Sequence, residues 1–366
     1  MTNEIKALRE AVSGLMQKRS SEAQVRELMA TDTGLDEGTW ADLTDMGLLG
    51  LTIDEQFGGA GAGHVEMSAV CEEMGRALLC GPFFSTAVLT PALLTATGDA
   101  DEAAQVLPTI ADGTSVTALA FAEGTSATLP GELGTTASAA GDQWQLTGEK
   151  NYVLDAGAAD VLYVLAGTAD GPAVFAVSRG AAGFEAVGLT GVDLTRKLHR
   201  VRFSGTPARL VGEPGSGAAS FAAALETGGV AMLGEQAGGT YHAMQMAVDY
   251  ARTRFQFGRA IGSFQAVKHM CADMLLEAES AVSAARHVAA AYDAGDDNRA
   301  ADLALAQAYC GDAYVTVAAT SIQVHGGIGF TWEHPAHLYL RRARTDAQLL
   351  GDPAWHRERY LQLKGA

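Results

Sequence analysis

The stretch Gln323-Val324-His325-Gly326-Gly327-Ile328-Gly329 decides how the rest of this chain is read. It closes an alanine-rich segment with a glycine-dense turn, where missing side chains let backbone N–H groups approach a ligand closely. The chain continues through Trp332-Glu333-His334-Pro335 and the basic run Arg341-Arg342-Ala343-Arg344, and reaches Gln348-Leu349-Leu350-Gly351-Asp352. Local arginines of this kind are what an anionic ligand needs in a chain whose overall charge is acidic.

That acidity is marked. The 366 residues carry 25 Lys and Arg against 43 Asp and Glu, a net charge of −18. Nothing here would neutralise a nucleic-acid backbone, and an anionic membrane surface would repel the chain. With 48% apolar and 19% charged residues the balance is that of a globular protein with a large core, and the length suits two or three domains. Cys71, Cys80, Cys271 and Cys310 show no metal-binding or redox spacing and sit in apolar segments, so buried reduced thiols are expected. The N-terminal Met1-Thr2-Asn3-Glu4 lacks a signal-peptide pattern, and no apolar run is long enough to span a bilayer. A cytoplasmic location is the expectation.

Upstream of the glycine turn, two long helices are predicted. Ile261, Phe264, Val267, Cys271, Met274, Leu275, Ala278 and Ala281 trace one helix face, and a second helix is expected from about Asn298 to Gln323. The Ala-Gly-Asp-Asp stretch at 294–297 reads as the turn between them, and the many small residues suit close helix packing. Residues 113–212 have another texture. The short apolar runs Val116–Phe121, Trp144–Thr147, Val161–Leu165, Ala173–Val177 and Val201–Phe203, separated by turn residues, predict strands. Before them, Ile5, Leu8, Val12 and Leu15, then Met67, Val70, Met74 and Leu78, recur at helical spacing on either side of the Gly58–Gly63 break. The expected organisation is α+β: an N-terminal helical domain over 1–112, a middle β-barrel-like domain over 113–212, and a C-terminal four-helix bundle over 213–366.

A second motif precedes the long helices. Arg254-Phe255-Gln256-Phe257-Gly258 is followed by Ile261 and then Phe264-Gln265. A guanidinium fork, an aromatic ring and an amide near a helix end can hold a pyrophosphate and pack a base. Alone, the motif reads rather as a solvated arginine beside a core phenylalanine.

Taken in order, Arg254-x-x-Phe257-Gly258, Phe264-Gln265 and Gln323-x-x-Gly326-Gly327-x-Gly329 resemble the signature of the acyl-CoA dehydrogenase family. Glu55-Gln56-Phe57-Gly58-Gly59-Ala60-Gly61 is similar to that family's N-domain turn. Trp144-Gln145-Leu146-Thr147-Gly148-Glu149-Lys150 and Asp193-Leu194-Thr195-Arg196 are similar to its β-domain elements. The resemblance covers nearly the whole chain. It implies FAD at a subunit interface, with Arg254, Phe257, Gln265, Gln323, Gly326 and Gly327 gripping the adenine-pyrophosphate half held by a neighbouring subunit. It further implies α,β-dehydrogenation of an acyl-CoA thioester, in which a carboxylate takes the α proton and the β hydride goes to the flavin. An electron-transfer flavoprotein would be the acceptor. On this reading His325 has no proton-transfer role and is a neutral side chain packed at the turn.

The chain departs from the family pattern in two places. The usual catalytic glutamate aligns with Leu350, just before Gly351. The alternative base position on an earlier helix falls near Gly228, leaving Glu226 as the weak candidate for the base. Glu235 and Asp352 are expected to be structural or solvated. The family's flavin-facing Thr-Glu-Pro and Gly-Ser-Asp stretch is replaced by Ala122-Glu123-Gly124-Thr125-Ser126-Ala127-Thr128, where Thr125 and Ser126 retain hydroxyls in a polar loop.

An intact adenine-side arm beside a missing base implies division of labour. The expectation is an accessory-type subunit of an α2β2 heterotetramer with a paralogous acyl-CoA dehydrogenase subunit, resembling the actinobacterial heterotetrameric branch. The competing expectations are a self-sufficient homotetramer with a displaced base and a non-catalytic scaffold on the same fold. Gly215-Ser216-Gly217 lacks the third glycine and the βαβ context of a nicotinamide site, and His334 and His337 lack further metal ligands nearby. Neither metal nor nucleic acid is expected.

Overall fold

The computed structural model describes residues 2–141 and 143–365. Helices α1 (Asn3–Arg19), α2 (Glu22–Met29), α3 (Glu37–Asp45), α4 (His64–Arg76), α5 (Thr90–Thr97) and α6 (Ala100–Ala111) come first. Strands β1 (Thr117–Ala120), β2 (Thr136–Ala140), β3 (Gln143–Leu154), β4 (Val161–Thr168), β5 (Gly171–Ser178), β6 (Phe184–Gly188) and β7 (Leu198–Val211) follow. Then come α7 (Gly217–Thr253), the short strands β8 (Phe255–Gln256) and β9 (Arg259–Ala260), α8 (Gln265–Asp293), α9 (Arg299–His325), α10 (Ala336–Asp346) and α11 (Pro353–Leu363). This is an acyl-CoA dehydrogenase-like α+β order, helical, β, then helical.

The elements gather into two compact units, each discontinuous in sequence. One comprises Met1–Val25, His64–Leu79 and Gly229–Ala366, and the other Arg26–Gly63 and Cys80–Gly228. In the second unit the strand pairings β2–β3, β3–β7, β7–β5, β5–β4 and β4–β2 close a ring, with β1 beside β4 and β6 beside β7. Leu146, Leu162, Val164, Phe175, Val177, Val201 and Phe203 fill it. β2 and β6 escape the sequence reading because their residues are mostly exposed and not β-branched. Neighbouring strands impose them: β2 pairs with β3 from Thr136↔Thr147 to Ala140↔Gln143.

In the first unit α7, α8 and α9 pack around Val230, Leu233, Ala281, Ala285, Val288, Leu303 and Cys310. α4 crosses α7 so closely that a Cβ on Gly238 would sit 1.8 Å from the carbonyl oxygen of Glu72. Glycine is therefore the residue that fits there. α8 begins at Gln265, Ile261–Ser263 being a 3₁₀ turn, and Leu275 is exposed rather than on the buried face. The buried stripe runs through Met274, Ala278, Ala281, Val282 and Ala285, and Leu275 lies about 100° around the axis from Met274. None of the four cysteines is in a disulfide; Cys71, Cys80 and Cys310 are buried, and Cys271 is half-exposed, because it lies on the same open side of α8.

Candidate functional site

The arm residues of the sequence reading gather at one end of the helical bundle. α7 delivers Arg254, α8 starts at Gln265, and α9 ends with Gln323 and the glycine turn. The ends of α7 and α9 meet through Tyr250 and His325, whose ring centroids are 4.5 Å apart. His334 lies 4.2 Å from the His325 ring. His325 Nδ1 is 2.7 Å from the carbonyl oxygen of Ser321, one helical turn back. Burial lowers its pKa, so the ring is neutral at physiological pH and donates Nδ1–H to that carbonyl. This fits the expected packing role at the turn.

Arg254 leads into a two-residue hairpin. β8 and β9 pair through Phe255↔Ala260 and Gln256↔Arg259, and the Arg254 carbonyl accepts from Ile261 N at 2.8 Å. The tip, Phe257-Gly258, has φ of 52° and 79°. Both central residues of a type I′ turn need positive φ, which is easy for glycine and costly for an aromatic side chain. Phe257 is also 90% exposed, so its ring receives little packing in return. It contacts Phe264 edge-on at 6.2 Å, and Arg259 lies 4.0 Å over the Phe264 ring. Strain and exposure together at one aromatic residue point to a partner outside the chain's own packing.

Gly326 has φ 64° and ψ −141°, a conformation essentially reserved for glycine. Gly327 needs no such conformation. A Cβ on Gly326, Gly327 or Gly258 would meet nothing within 4 Å. Packing within the chain therefore does not demand glycine at 327, whereas close approach of a ligand would. Arg254, Gln265, Gln323, Gly326 and Gly327 are exposed, as are Phe330 and Trp332 beyond the turn. A guanidinium, two amides, two glycines without side chains and an aromatic ring thus face solvent at one end of the bundle. That donor set fits the phosphate and base of a dinucleotide.

The candidate base positions have different surroundings. Leu350 is 7% exposed and adopts φ 63°, with Gly351 at φ 120°. Its side chain can take no proton. Glu226 is half-buried on α7. Glu235 is buried in an ion pair with Arg342, which also donates to the Leu79 carbonyl at 3.1 Å. Asp352 caps α11, accepting from Trp355 N at 2.7 Å. Glu235 and Asp352 are thus structural.

The eroded loop is tied down differently from what hydroxyls alone would suggest. Ser126 Oγ pairs with Thr128 Oγ1 at 2.8 Å in an exposed stretch. The anchor is Glu123, whose oxygens accept from Gly134 N at 2.6 Å and Thr135 N at 3.0 Å. Lys150, fully buried, donates to Glu123 at 2.6 Å and to the Phe121 carbonyl at 3.2 Å. Burial pulls the lysine pKa down to about 8, against the opposing pull of Glu123. This lock is not among the expectations drawn from the sequence. Its signal was the phase of β3, where Lys150 shares the inward side with Leu146. Among the described residues no group of three or more His, Cys, Asp or Glu side chains is placed to hold a metal ion, and no helix is long and apolar enough to cross a membrane.

Comparison with known proteins accounts for this arrangement. Residues 2–114 match the N-terminal domain of acyl-CoA dehydrogenases, and residues 215–361 match the C-terminal domain. The chain is 35% identical over 347 residues to acyl-CoA dehydrogenase IpdE2 of Mycobacterium tuberculosis, covering 94% of this chain and 92% of that protein. The fold superposes on the ChsE4–ChsE5 complex from Mycobacterium tuberculosis with a TM-score of 0.90 at 27% identity, covering 100% of this chain and 98% of that one. It also superposes on a variant of the Tcur3481–Tcur3483 steroid ACAD with a TM-score of 0.87 at 26% identity, covering 99% and 98% of the two chains. The paired domains, the ringed sheet and the glycine turn at the bundle end have one common explanation: the chain belongs to the acyl-CoA dehydrogenase family of oxidoreductases.

Proposed function

We propose that this chain is the arm-lending subunit of a hetero-oligomeric, FAD-dependent acyl-CoA dehydrogenase that converts a CoA thioester to its 2-enoyl product. A paralogous partner subunit supplies the carboxylate base. The observation that carries this reading is the contrast between the two ends of the C-terminal region. The arm is complete and open to solvent, while the usual base position is a buried leucine. Similarity to a chain of the ChsE4–ChsE5 complex supports a paralogous partner subunit.

In this reading Arg254 offers its planar fork to the pyrophosphate oxygens, and Phe257 covers the adenine. Gln265 and Gln323 give amide hydrogen bonds, and Gly326 and Gly327, lacking side chains, let the pyrophosphate lie close to the backbone. The bound FAD supplies a two-electron acceptor for the β hydride of the thioester. The Glu123–Lys150 lock holds the loop that carries Thr125 and Ser126, whose hydroxyls are the remaining candidates for hydrogen bonds near the flavin ring. The division 1–112, 113–212 and 213–366 belongs to the same proposal. It is supported by the changes in secondary structure between Ala111 and Thr117 and between Val211 and Gly217.

Native mass and flavin absorbance, measured for the chain alone and with a candidate partner, test the proposal. The expected result is an α2β2 species that gains FAD and turnover only on mixing. A homotetramer with one FAD per chain that turns over acyl-CoA alone would sink it. The half-buried Glu226 favours that second reading, and Glu226→Gln abolishing turnover with FAD retained would establish it. A chain that binds neither FAD nor CoA ester even beside its partner would instead be a scaffold.

A further inference from the structure

A cavity lies between α1, α4 and α8, and the proposed reaction does not use it. Its volume is about 300 Å³, at the small end of ligand pockets. Each helix contributes one stripe at helical spacing: Ile5 and Arg9 from α1, preceded by its cap Thr2, then Val65, Ala69 and Glu72 from α4, and Arg286, Ala289 and Ala290 from α8. α8 runs opposite to α4, since Asp293 caps the start of α4 at His64 N (2.7 Å) while Arg286 reaches Glu72 at 3.3 Å. The three stripes are therefore in phase. Small and apolar side chains line one end of the slot, and charged ones line the other.

The charged end has more cation than its anions require. Arg9 binds both oxygens of Glu72, at 2.9 and 2.5 Å, and one oxygen of Glu73, at 3.2 and 2.8 Å. Arg76 and Arg286 then reach the same carboxylates only at 3.3 to 3.6 Å. Three guanidiniums share two carboxylates; Arg9, Arg286 and Glu72 line the slot itself, and Arg286, with about half its side chain exposed, is the most exposed of the three arginines. The next carboxylate along α8, Asp293, is taken up by the backbone N–H groups of His64 and Val65 and by the His64 ring.

We infer that this slot binds a small anionic amphiphile, a monocarboxylate whose alkyl tail lies against Ile5, Val65, Ala69 and Ala289 and whose carboxylate pairs with Arg286. A guanidinium with open donors matches a carboxylate bidentately, and the apolar stripe gives the tail a dry wall. The inference is independent of where FAD and the base reside.

Calorimetric titration of the full chain with sodium decanoate tests it, with decanol and decylamine as probes of equal tail and different head. Decanoate should bind saturably at one per chain, and the other two should not. Arg286→Ala should weaken decanoate about tenfold or more, and Arg286→Lys should fall between. Unchanged melting curves for both variants would show that the fold is intact. Equal binding of decanol and decanoate, unchanged affinity in Arg286→Ala, no saturable binding, or displacement of decanoate by an acyl-CoA would each overturn the inference.

Discussion

Lys150 Nζ lies 2.6 Å from Glu123 Oε1, and the lysine is wholly buried while the glutamate keeps an edge open to solvent. The two partners are unequally dependent on each other. Glu123 also accepts from the backbone N–H groups of Gly134 and Thr135, whereas the lysine's other recorded acceptor is one carbonyl. Removing the lysine leaves a carboxylate with two donors. Removing the carboxylate strands a buried ammonium. Glu123→Ala should therefore cost more, about 3–5 kcal/mol, than Lys150→Met at about 1–3 kcal/mol. Chemical denaturation of both variants decides it, and the reverse order would refute the lock as described.

The same pair makes a pH prediction. Burial lowers the Lys150 pKa to about 8, while the unfolded value is 10.5. Below pH 8 both states hold the proton, and the cost of a buried charge is present in full. Between pH 8 and 10.5 the unfolded state binds more protons than the folded one, so the contribution of this group to stability rises with pH. The stability of the wild type relative to Lys150→Met should therefore increase across that window. Glu123 acts in the opposite range. Burial alone would raise its pKa, but the hydrogen bonds from Lys150 and Gly134 outweigh it and hold the carboxyl below its usual value. Its contribution is present above the unfolded glutamate pKa and is lost as pH falls through the folded one.

Glu235 and Glu226 share α7 and should behave differently. Glu235 is buried against Arg342, and Glu235→Ala would take a buried carboxylate away from that guanidinium at a cost of about 3–5 kcal/mol. Glu226→Gln changes a half-buried side chain, so its effect on stability should stay within about 1 kcal/mol. In the mixed oligomer it should leave turnover intact if the partner carries the base. Thermal melts and steady-state rates on the two variants separate a structural glutamate from a catalytic one.

How much of this was legible in the sequence follows from how local each signal is. The proposed arm rests on short runs, Arg254 to Gly258 and Gln323 to Gly329, and the fold brings the helix ends that carry them together. α9 could be bounded closely, expected from about 298 to 323 and found at Arg299–His325, because its alanine-rich periodicity is continuous. β7 was recognised only at Val201–Phe203, though it spans Leu198–Val211. Arg200, Arg202 and Ser204 interrupt its apolar run, and pairing with β3, β5 and β6 makes the rest a strand. Ion-pair partners such as Arg342 and Glu235 are far apart in sequence, and only the folded chain brings them together.

The arm's glycine and aromatic residues give a test that separates folding from binding. A Cβ at Gly327 meets nothing within 4 Å, and Phe257 has little packing to lose. Gly327→Val should leave the melting temperature of the isolated chain nearly unchanged, and so should Phe257→Gly, which relieves positive φ. Each should shift stability by no more than about 1 kcal/mol. Both should lower the flavin content of the mixed oligomer, read from the visible absorbance per complex. A variant that keeps full flavin content would remove its residue from the arm.

The open side of α8 offers a chemical probe of assembly. Leu275 and Leu276 are 45% and 67% exposed, and Cys271 is one turn before Leu275 on the same side. Such an apolar patch is costly to leave in water and is expected to be covered in an oligomer. Cys71, Cys80 and Cys310 are buried, and burial pushes the Cys310 thiol up to about 12, so none should react while the chain is folded. Alkylation of the native isolated chain at mildly alkaline pH should therefore modify Cys271 alone, and all four thiols should react after denaturation. Adding the partner should slow the Cys271 reaction at least severalfold if this side of α8 is buried on assembly. An unchanged rate would mean that the subunits meet elsewhere.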